Sequence, residues 1–135
     1  MRPARILGVL AAALLALALF YVALAESGEV VVLETRGPDR AAHETRLWVV
    51  DDGGSAWLRT GDPTSPWLAR LRASPEVAVT RSGVRRMYRA VAVDDPATRA
   101  RINALTLEKY GWRESALRAL GMGPEGTMPI RLDPL

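Results

Sequence analysis

The chain opens with an uninterrupted apolar segment, Ile6 to Ala25, in which no charged side chain occurs. About 20 helical residues rise about 30 Å, which matches the hydrocarbon thickness of a bilayer. Arg2 and Arg5 precede the segment and acidic residues follow it, so we expect a cytoplasmic N-terminus and an exported domain. The pattern therefore predicts a single-pass transmembrane anchor over residues 1–25 and a folded domain over residues 26–135.

A cleaved signal peptide is the alternative interpretation of the same segment. Ala23-Leu24-Ala25 is a small-x-small pattern of the kind found at signal-peptide cleavage sites. Cleavage near Ala25 would release a secreted or periplasmic domain. The apolar run is longer than the usual apolar region of a signal peptide, and this favours the retained anchor.

Beyond the anchor, short β-branched or alternating runs predict strands separated by turn residues. The predicted strands cover Glu29–Thr35, Thr45–Asp51, Ala56–Thr60, Glu76–Arg81, Val84–Val93 and Met128–Leu132. Asp52-Gly53-Gly54 and Ser82-Gly83 are typical of tight hairpin turns. Because proline has no amide hydrogen, we expect Pro129 to confine the last strand to a sheet edge or a bulge.

Helices are predicted where a capping residue precedes proline, at Ser65-Pro66 and at Asp95-Pro96. The first ends at Ser74-Pro75, and the second runs to about Tyr110, where Gly111 ends it. A third helix is predicted from Trp112 to Leu120. The residues expected on the buried faces of the last two helices are Ile102, Leu105, Tyr110, Trp112, Ala116 and Leu120.

The resulting order of elements is β-β-β-α-β-β-α-α-β, in which hairpins outnumber crossovers. This order predicts an α+β fold: a small, mainly antiparallel barrel with flanking helices, following the transmembrane helix. Helices do not alternate with strands, so a parallel doubly wound sheet is not expected.

Composition excludes several classes of function. The chain has no cysteine and a single histidine, His43, so no thiolate or multi-histidine metal site is expected. Outside the anchor and its basic flank, 16 basic and 15 acidic side chains nearly balance, which disfavours nucleic-acid binding. No serine lies in a Gly-x-Ser-x-Gly elbow, which makes an exported hydrolase built on His43 the weakest hypothesis.

Arginine and tryptophan hold the remaining chemical information. Arginine supplies 17 of the 18 basic side chains, and guanidinium groups suit phosphates and carboxylates. For any single arginine, a solvated surface position is the commoner outcome. The four tryptophans are expected mostly in the core, although one or two are candidates for the flat wall of a ring-binding cleft.

The segment SPWLARLRASPEVAV, Ser65–Val79, resembles the Pro-Trp segment of the deazaflavin (F420)-dependent nitroreductase family. That family belongs to the flavin-binding split-barrel superfamily typified by pyridoxamine phosphate oxidases. Arg46–Gly61 resembles the hairpin that precedes this segment, whereas Glu108–Trp112 and Met128–Pro134 resemble the C-terminal end of the family. The resemblance covers residues 29–134 and implies a split β-barrel.

The resemblance implies an oxidoreductase that uses F420 or FMN to reduce quinones or nitroaromatics. It singles out no catalytic residue. The cofactor's phosphate or carboxylate groups would bind Arg36, Arg40 and Arg46; the cofactor ring would lie beside Thr60, Gly61 and Trp67; and the substrate would meet Tyr110 and Trp112. The implied partners are the bilayer, through residues 6–25, and a quinone-like substrate, and many relatives form homodimers.

A second function stays open because the sequence departs from the family's pattern. The family's Gly-Arg-Lys-Ser-Gly phosphate loop is replaced by TRGPDRAAHETR, Thr35 to Arg46, and Thr64 or Ser65 stands where a basic residue usually precedes the helix. The alternative is a non-catalytic exported split-barrel module, without cofactor, that binds a small ligand or a partner protein.

Overall fold

A computed structural model describes residues 2–25, 28–121 and 126–135, and these residues form an α+β fold. The helices are α1 Pro3–Ala25, α2 Pro66–Ala73, α3 Pro96–Tyr110 and α4 Trp112–Ala119. The strands are β1 Val30–Arg36, β2 Ala42–Trp48, β3 Val50–Asp52, β4 Ser55–Thr60, β5 Glu76–Arg81, β6 Val84–Ala92 and β7 Met128–Pro134. The predicted elements are therefore present, with one strand divided in two.

The strands form one antiparallel sheet in the order β2-β1-β5-β6-β7-β4-β3. Its edge strands, β2 and β3, are consecutive in the chain and are separated only by Val49. The sheet therefore curls until its two edges meet at this residue, which we call the seam, and the result is a half-open barrel. The predicted strand Thr45–Asp51 is divided because the chain changes partner strands at the seam.

Strand β7 lies inside the sheet, between β6 and β4, so of the two positions expected for Pro129, a sheet edge or a bulge, the sheet edge was wrong. On one side Pro129 pairs with Arg59 of β4, whereas the register with β6 begins only at Ile130, opposite Ala92. The carbonyl of Pro129 accepts a hydrogen bond of 2.9 Å from the amide of Val93. Proline lacks the amide hydrogen that would bond to β6, but Pro129 lies where the β6–β7 pairing begins. A strand inside the sheet therefore accommodates this proline.

Two hairpins join neighbouring strands as the turn residues predict. Gly53 and Gly54 have φ values of 60° and 79°, and Ser82 and Gly83 have values of 51° and 77°. Positive φ at both central residues gives the twist that a two-residue hairpin needs.

The main hydrophobic core fills the barrel. Alternate residues of β1, such as Val31 and Leu33, point inward and are fully buried. Leu68 and Leu71 of α2 are buried in the same cluster. A second, smaller cluster lies at the seam, where α3 meets β3. Its members are Val50, Ile102 and Tyr110, with Trp48, Trp57 and Leu105 packed against them.

Helix α4 buries a different face from the one predicted. Trp112 and Leu120 are 62% and 40% exposed, whereas Glu114 and Leu117 are buried. The prediction followed apolar spacing, but α3 and α4 are separated only by Gly111, whose φ is +55°. This turn sets how α4 lies against α3, and it carries the carboxylate of Glu114 into the interior.

Helix α1 is long and apolar enough to cross a membrane: Pro3–Leu24 has 22 residues and a mean hydropathy of 2.6. Most of its side chains are exposed. Its last turn behaves differently, because Leu24 is only 3% exposed and the helix packs against α4.

Candidate functional site

Tyr110 stabilises the seam of the barrel through its buried hydroxyl and its ring. Its hydroxyl lies 3.0 Å from the amide nitrogen of Val49, 2.8 Å from the carbonyl oxygen of the same residue and 2.7 Å from that of Glu29. Its ring stacks on Trp48, with centroids 4.3 Å apart and planes 7° from parallel. Burial raises the pKa of Tyr110 to about 12, so the hydroxyl stays protonated at neutral pH.

Charged groups support the same seam from outside. Arg81 donates to both carboxylate oxygens of Asp51 at 2.8 Å and to both carboxylate oxygens of Glu29 at 3.0 Å. Lys109 donates to Glu29 at 2.6 Å and to the carbonyl of Val49 at 2.8 Å. Hydrogen bonds from Arg81 and then from Lys109 hold the pKa of Glu29 below its usual value.

A cavity of about 190 Å³, which we call the aromatic cavity, lies beside the seam. Trp48 and Trp57 give it flat apolar walls, and the indole nitrogen of Trp57 donates to the carbonyl of Asp52 at 3.3 Å. The lining residues are Tyr21, Arg46, Leu47, Trp48, Val50, Trp57, Arg59, Gly61, Ile102, Thr106 and Leu117. The sheet and the helices α1, α3 and α4 all contribute to it.

Arg59, on the polar wall of this cavity, is paired with the buried carboxylate of Glu114. Arg59 donates to both oxygens of Glu114, at 2.9 and 2.7 Å, and to the side-chain oxygen of Asn103 at 2.9 Å. Arg118 adds a 3.0 Å hydrogen bond to Glu114. Burial alone would raise the pKa of Glu114, but hydrogen bonds and charge from Arg59 and Arg118 outweigh burial and hold this pKa below its usual value. The carboxylate of Glu114 is therefore ionised at neutral pH.

Gly61, Thr60 and Trp67, which the resemblance implies for the cofactor ring, lie in three different environments. Gly61 lines the aromatic cavity, and so does Arg46, which was assigned to a phosphate. Thr60 is 1% exposed, and its hydroxyl accepts a 2.9 Å hydrogen bond from the amide of Asp62, so it shapes the loop after β4. Trp67 is 8% exposed and belongs to the main core.

The two residues assigned to the substrate, Tyr110 and Trp112, do not lie together in one site. Tyr110 is 2% exposed and fastens the seam, with its ring against Trp48 rather than in the lining of the cavity. Trp112 is 62% exposed, and the guanidinium of Arg113 lies 5.0 Å from its ring centroid.

Arg36 and Arg40 line a second, larger cavity of about 470 Å³, which we call the basic cavity. It lies between the β1–β2 connection and the C-terminal half of α2, which contributes Arg70. Arg36 pairs with Glu34 at 2.9 Å, and Arg70 donates to the hydroxyl of Thr35 at 2.9 Å. Within the part of the chain that the structure describes, Arg40 and Arg70 have no carboxylate partner, so this cavity carries a positive charge suited to an anion.

Sequence analysis missed several lining residues. Arg59 lies between the buried residues Leu58 and Thr60, so strand alternation already marks it as facing the helices. Arg70 is one of two arginines in the last turn of α2, and the sequence alone does not separate it from the exposed Arg72. Tyr21 carried no signal, since an apolar anchor is expected to face lipid.

The residues present fit the two ends of a phosphorylated ring cofactor such as FMN or F420. The aromatic cavity offers flat walls for a ring system, whereas the basic cavity offers guanidinium groups for a phosphate. At about 190 Å³, the aromatic cavity is smaller than the roughly 300–1,000 Å³ of sites that enclose a drug-sized ligand. It therefore suits one ring system rather than a whole cofactor.

Solved structures with a similar arrangement of strands and helices identify the fold of this chain. The chain is 22% identical, with a TM-score of 0.61, to the conserved hypothetical protein Rv2991 of Mycobacterium tuberculosis, covering 80% of this chain and 74% of that one. A protein from Listeria innocua assigned as a pyridoxamine 5′-phosphate oxidase is 18% identical, with a TM-score of 0.59 and coverages of 84% and 89%. The fold is a split barrel.

HutZ, the heme storage protein of Vibrio cholerae, is a further example of this split barrel. It is 13% identical to this chain, with a TM-score of 0.62, and the match covers 83% of this chain and 85% of HutZ. No protein-family model matches the sequence, and no curated protein matches it either. At these identities the neighbours establish the split-barrel fold alone.

Proposed function

We propose that this chain is a membrane-anchored split-barrel oxidoreductase that binds FMN or F420 and reduces a quinone-like or nitroaromatic acceptor. The aromatic cavity carries this proposal, because two tryptophan rings, Trp48 and Trp57, flank a space of single-ring size at the seam. Planar ring systems bind between such walls. The name of the Listeria neighbour, an oxidase, supports redox chemistry on this fold.

The chain's own residues would hold such a cofactor at both ends. Trp48, fixed by its stack on Tyr110, and Trp57 would position the ring, while Arg36 and Arg40 would bind the phosphate. When bound, FMN or F420 supplies the hydride, and the protein orients it and tunes its charge. Arg59 would add a polar wall, and the carboxylate of Glu114, which Arg118 shares, balances part of its charge.

A non-catalytic module is the second candidate, and a specific observation favours it. Thr60, Trp67 and Tyr110, which the resemblance assigns to cofactor and substrate, make hydrogen bonds or core contacts that hold the barrel together. A barrel that keeps these residues for structure can bind a ligand or a partner without transferring electrons.

Titration of the purified full-length chain separates the two candidates. The chain would be extracted in detergent, its near-ultraviolet and blue absorbance recorded, and FMN, F420 and haemin added in turn. We expect FMN or F420 to bind. Trp57→Ala should weaken that binding, whereas Trp112→Ala, which removes an exposed tryptophan outside the cavity lining, should not. Binding of neither FMN nor F420 would exclude the oxidoreductase and leave the module.

A further inference from the structure

The last turn of the anchor helix belongs to the folded domain. Leu24 is 3% exposed, although its neighbour Val22 is 56% exposed and Phe20 is 54% exposed. Tyr21, on the turn that ends at Leu24, lines the aromatic cavity. One side of this turn is therefore buried against the domain, while the other side faces outward.

The connection between the anchor and the seam is short. Helix α1 ends at Ala25, and Glu29 already contributes to the seam: its carbonyl accepts from Tyr110 at 2.7 Å, and its carboxylate binds Arg81 and Lys109. Four residues of chain span at most about 14 Å. If α1 crosses a bilayer, the membrane surface must lie beside the seam and the aromatic cavity.

The helix that α1 contacts also suits a position at a membrane surface. Helix α4 exposes Trp112, with Arg113 stacked over its ring at 5.0 Å. Tryptophan is enriched where hydrocarbon meets the headgroups, and arginine there extends toward the headgroups. This surface lies on the same side of the domain as the end of the anchor.

We propose that the N-terminal helix is retained in the mature protein and that Tyr21 contacts the ligand. The binding site is then complete only in the anchored chain, where Tyr21 contacts the ring of the cofactor proposed above. Cleavage near Ala25 would remove Tyr21 from the cavity wall and Leu24 from its buried position. The ligand contact rests on the proposed function of the aromatic cavity, whereas retention of the helix does not.

Two measurements on the full-length chain test the proposal. The intact mass of the protein extracted from membranes should be that of the whole chain, 14.7 kDa. In lipid nanodiscs, FMN should quench the tryptophan fluorescence of the wild type on binding. Tyr21→Ala should weaken this binding about tenfold, on the scale of one aromatic contact. Tyr21→Phe keeps the ring and should restore the affinity.

Phe20→Ala is the matched control, because it removes a neighbouring ring that points away from the domain. A mature chain that begins at Glu26 would overturn the retained anchor. Equal affinities of Tyr21→Ala and Phe20→Ala would overturn the contact. A wild type that binds neither FMN nor F420 would instead refute the proposed function and with it the ligand contact, and the intact mass alone would then decide retention.

Discussion

Gly28 packs directly against the ring of Tyr110: a β-carbon added at residue 28 would lie 2.9 Å from two of the ring carbons. Only glycine therefore fits at this position without displacing the ring. Gly28 also has a φ of +80°, a conformation that side chains other than hydrogen disfavour. The same ring stacks on Trp48, and its hydroxyl bonds the seam at Val49. The close approach of Gly28 thus couples the end of the anchor to the closure of the barrel.

We expect Gly28→Ala to destabilise the protein more than Gly54→Ala. Both glycines have φ near +80°, but a β-carbon on Gly54 meets no atom within 4 Å. The strained backbone alone should cost Gly54→Ala about 1–2 kcal/mol, and the clash with Tyr110 should add about 1–3 kcal/mol at residue 28. Urea unfolding followed by circular dichroism measures both free energies of unfolding. Equal losses in the free energy of unfolding would mean that the ring of Tyr110 moves aside to accommodate the added methyl group.

Removing the hydroxyl of Tyr110 tests the seam directly. Tyr110→Phe keeps the stack on Trp48 but leaves the buried amide of Val49 without its partner, which should lower the free energy of unfolding by about 1–3 kcal/mol. Tyr88→Phe is the control, because among the described residues the hydroxyl of Tyr88 makes no hydrogen bond. A Tyr110→Phe variant as stable as Tyr88→Phe would show that the seam does not depend on this hydroxyl.

The buried pair of Arg59 and Glu114 should make stability depend on acid. The folded pKa of Glu114 lies below its usual value of 4.5, so the ionised carboxylate stabilises the fold above about pH 4.5. This contribution is lost as the pH falls through the lower, folded pKa. Glu114→Gln should lower the free energy of unfolding at neutral pH by about 3 kcal/mol and flatten its fall below pH 4.5.

The matched control for this prediction is Glu108→Gln, which changes an exposed carboxylate on α3. It should leave the neutral-pH stability within about 0.5 kcal/mol of the wild type, as expected for a surface substitution. Urea titrations at several pH values supply the comparison. If Glu114→Gln keeps the full acid dependence of the wild type, the carboxylates at the seam, Glu29 and Asp51, are the dominant source.

The charge of the basic cavity predicts a preference for phosphorylated ligands. The wild type should bind FMN about tenfold more tightly than riboflavin, which has the same ring but no phosphate. Arg40→Ala should reduce this preference, whereas Arg72→Ala, at an exposed position on α2, should not. Fluorescence titration with FMN and with riboflavin measures the ratio of the two affinities. Equal preferences in Arg40→Ala and the wild type would place the phosphate elsewhere.

Local signals determined much of the fold. The turn at Gly53-Gly54, the helix start at Ser65-Pro66 and the cap at Asp95 could be recognised because each depends on a few neighbouring residues, although the side chain of Ser65 makes no capping hydrogen bond. The seam could not be recognised, since TRLWVVD is continuous in sequence. The strand divides at Val49 because β2 pairs with β1 and β3 pairs with β4, on opposite edges of the sheet.

The candidate site was harder to predict because its contacts join distant parts of the chain. Arg59 and Glu114 are 55 residues apart, and no sequence pattern links them. Glu114 is buried only because Arg59 and Arg118 neutralise it, so apolar spacing assigned α4 the wrong inward face. Arg46 and Gly61 do line a cavity, but Trp67 followed the more general tendency of tryptophan to enter the core.

The central position of β7 has a consequence for how the protein is made. This strand emerges from the ribosome after every other described element, yet it alone bridges β6 and β4. Until it arrives, the nascent polypeptide holds two separate groups of paired strands, β2-β1-β5-β6 and β4-β3. They are joined by the chain at Val49 and through α2 but by no strand pairing, and the edges of β6 and β4 are exposed and open to wrong pairing. Assembly must therefore wait until translation of these residues is complete, and a truncated product would be prone to aggregation.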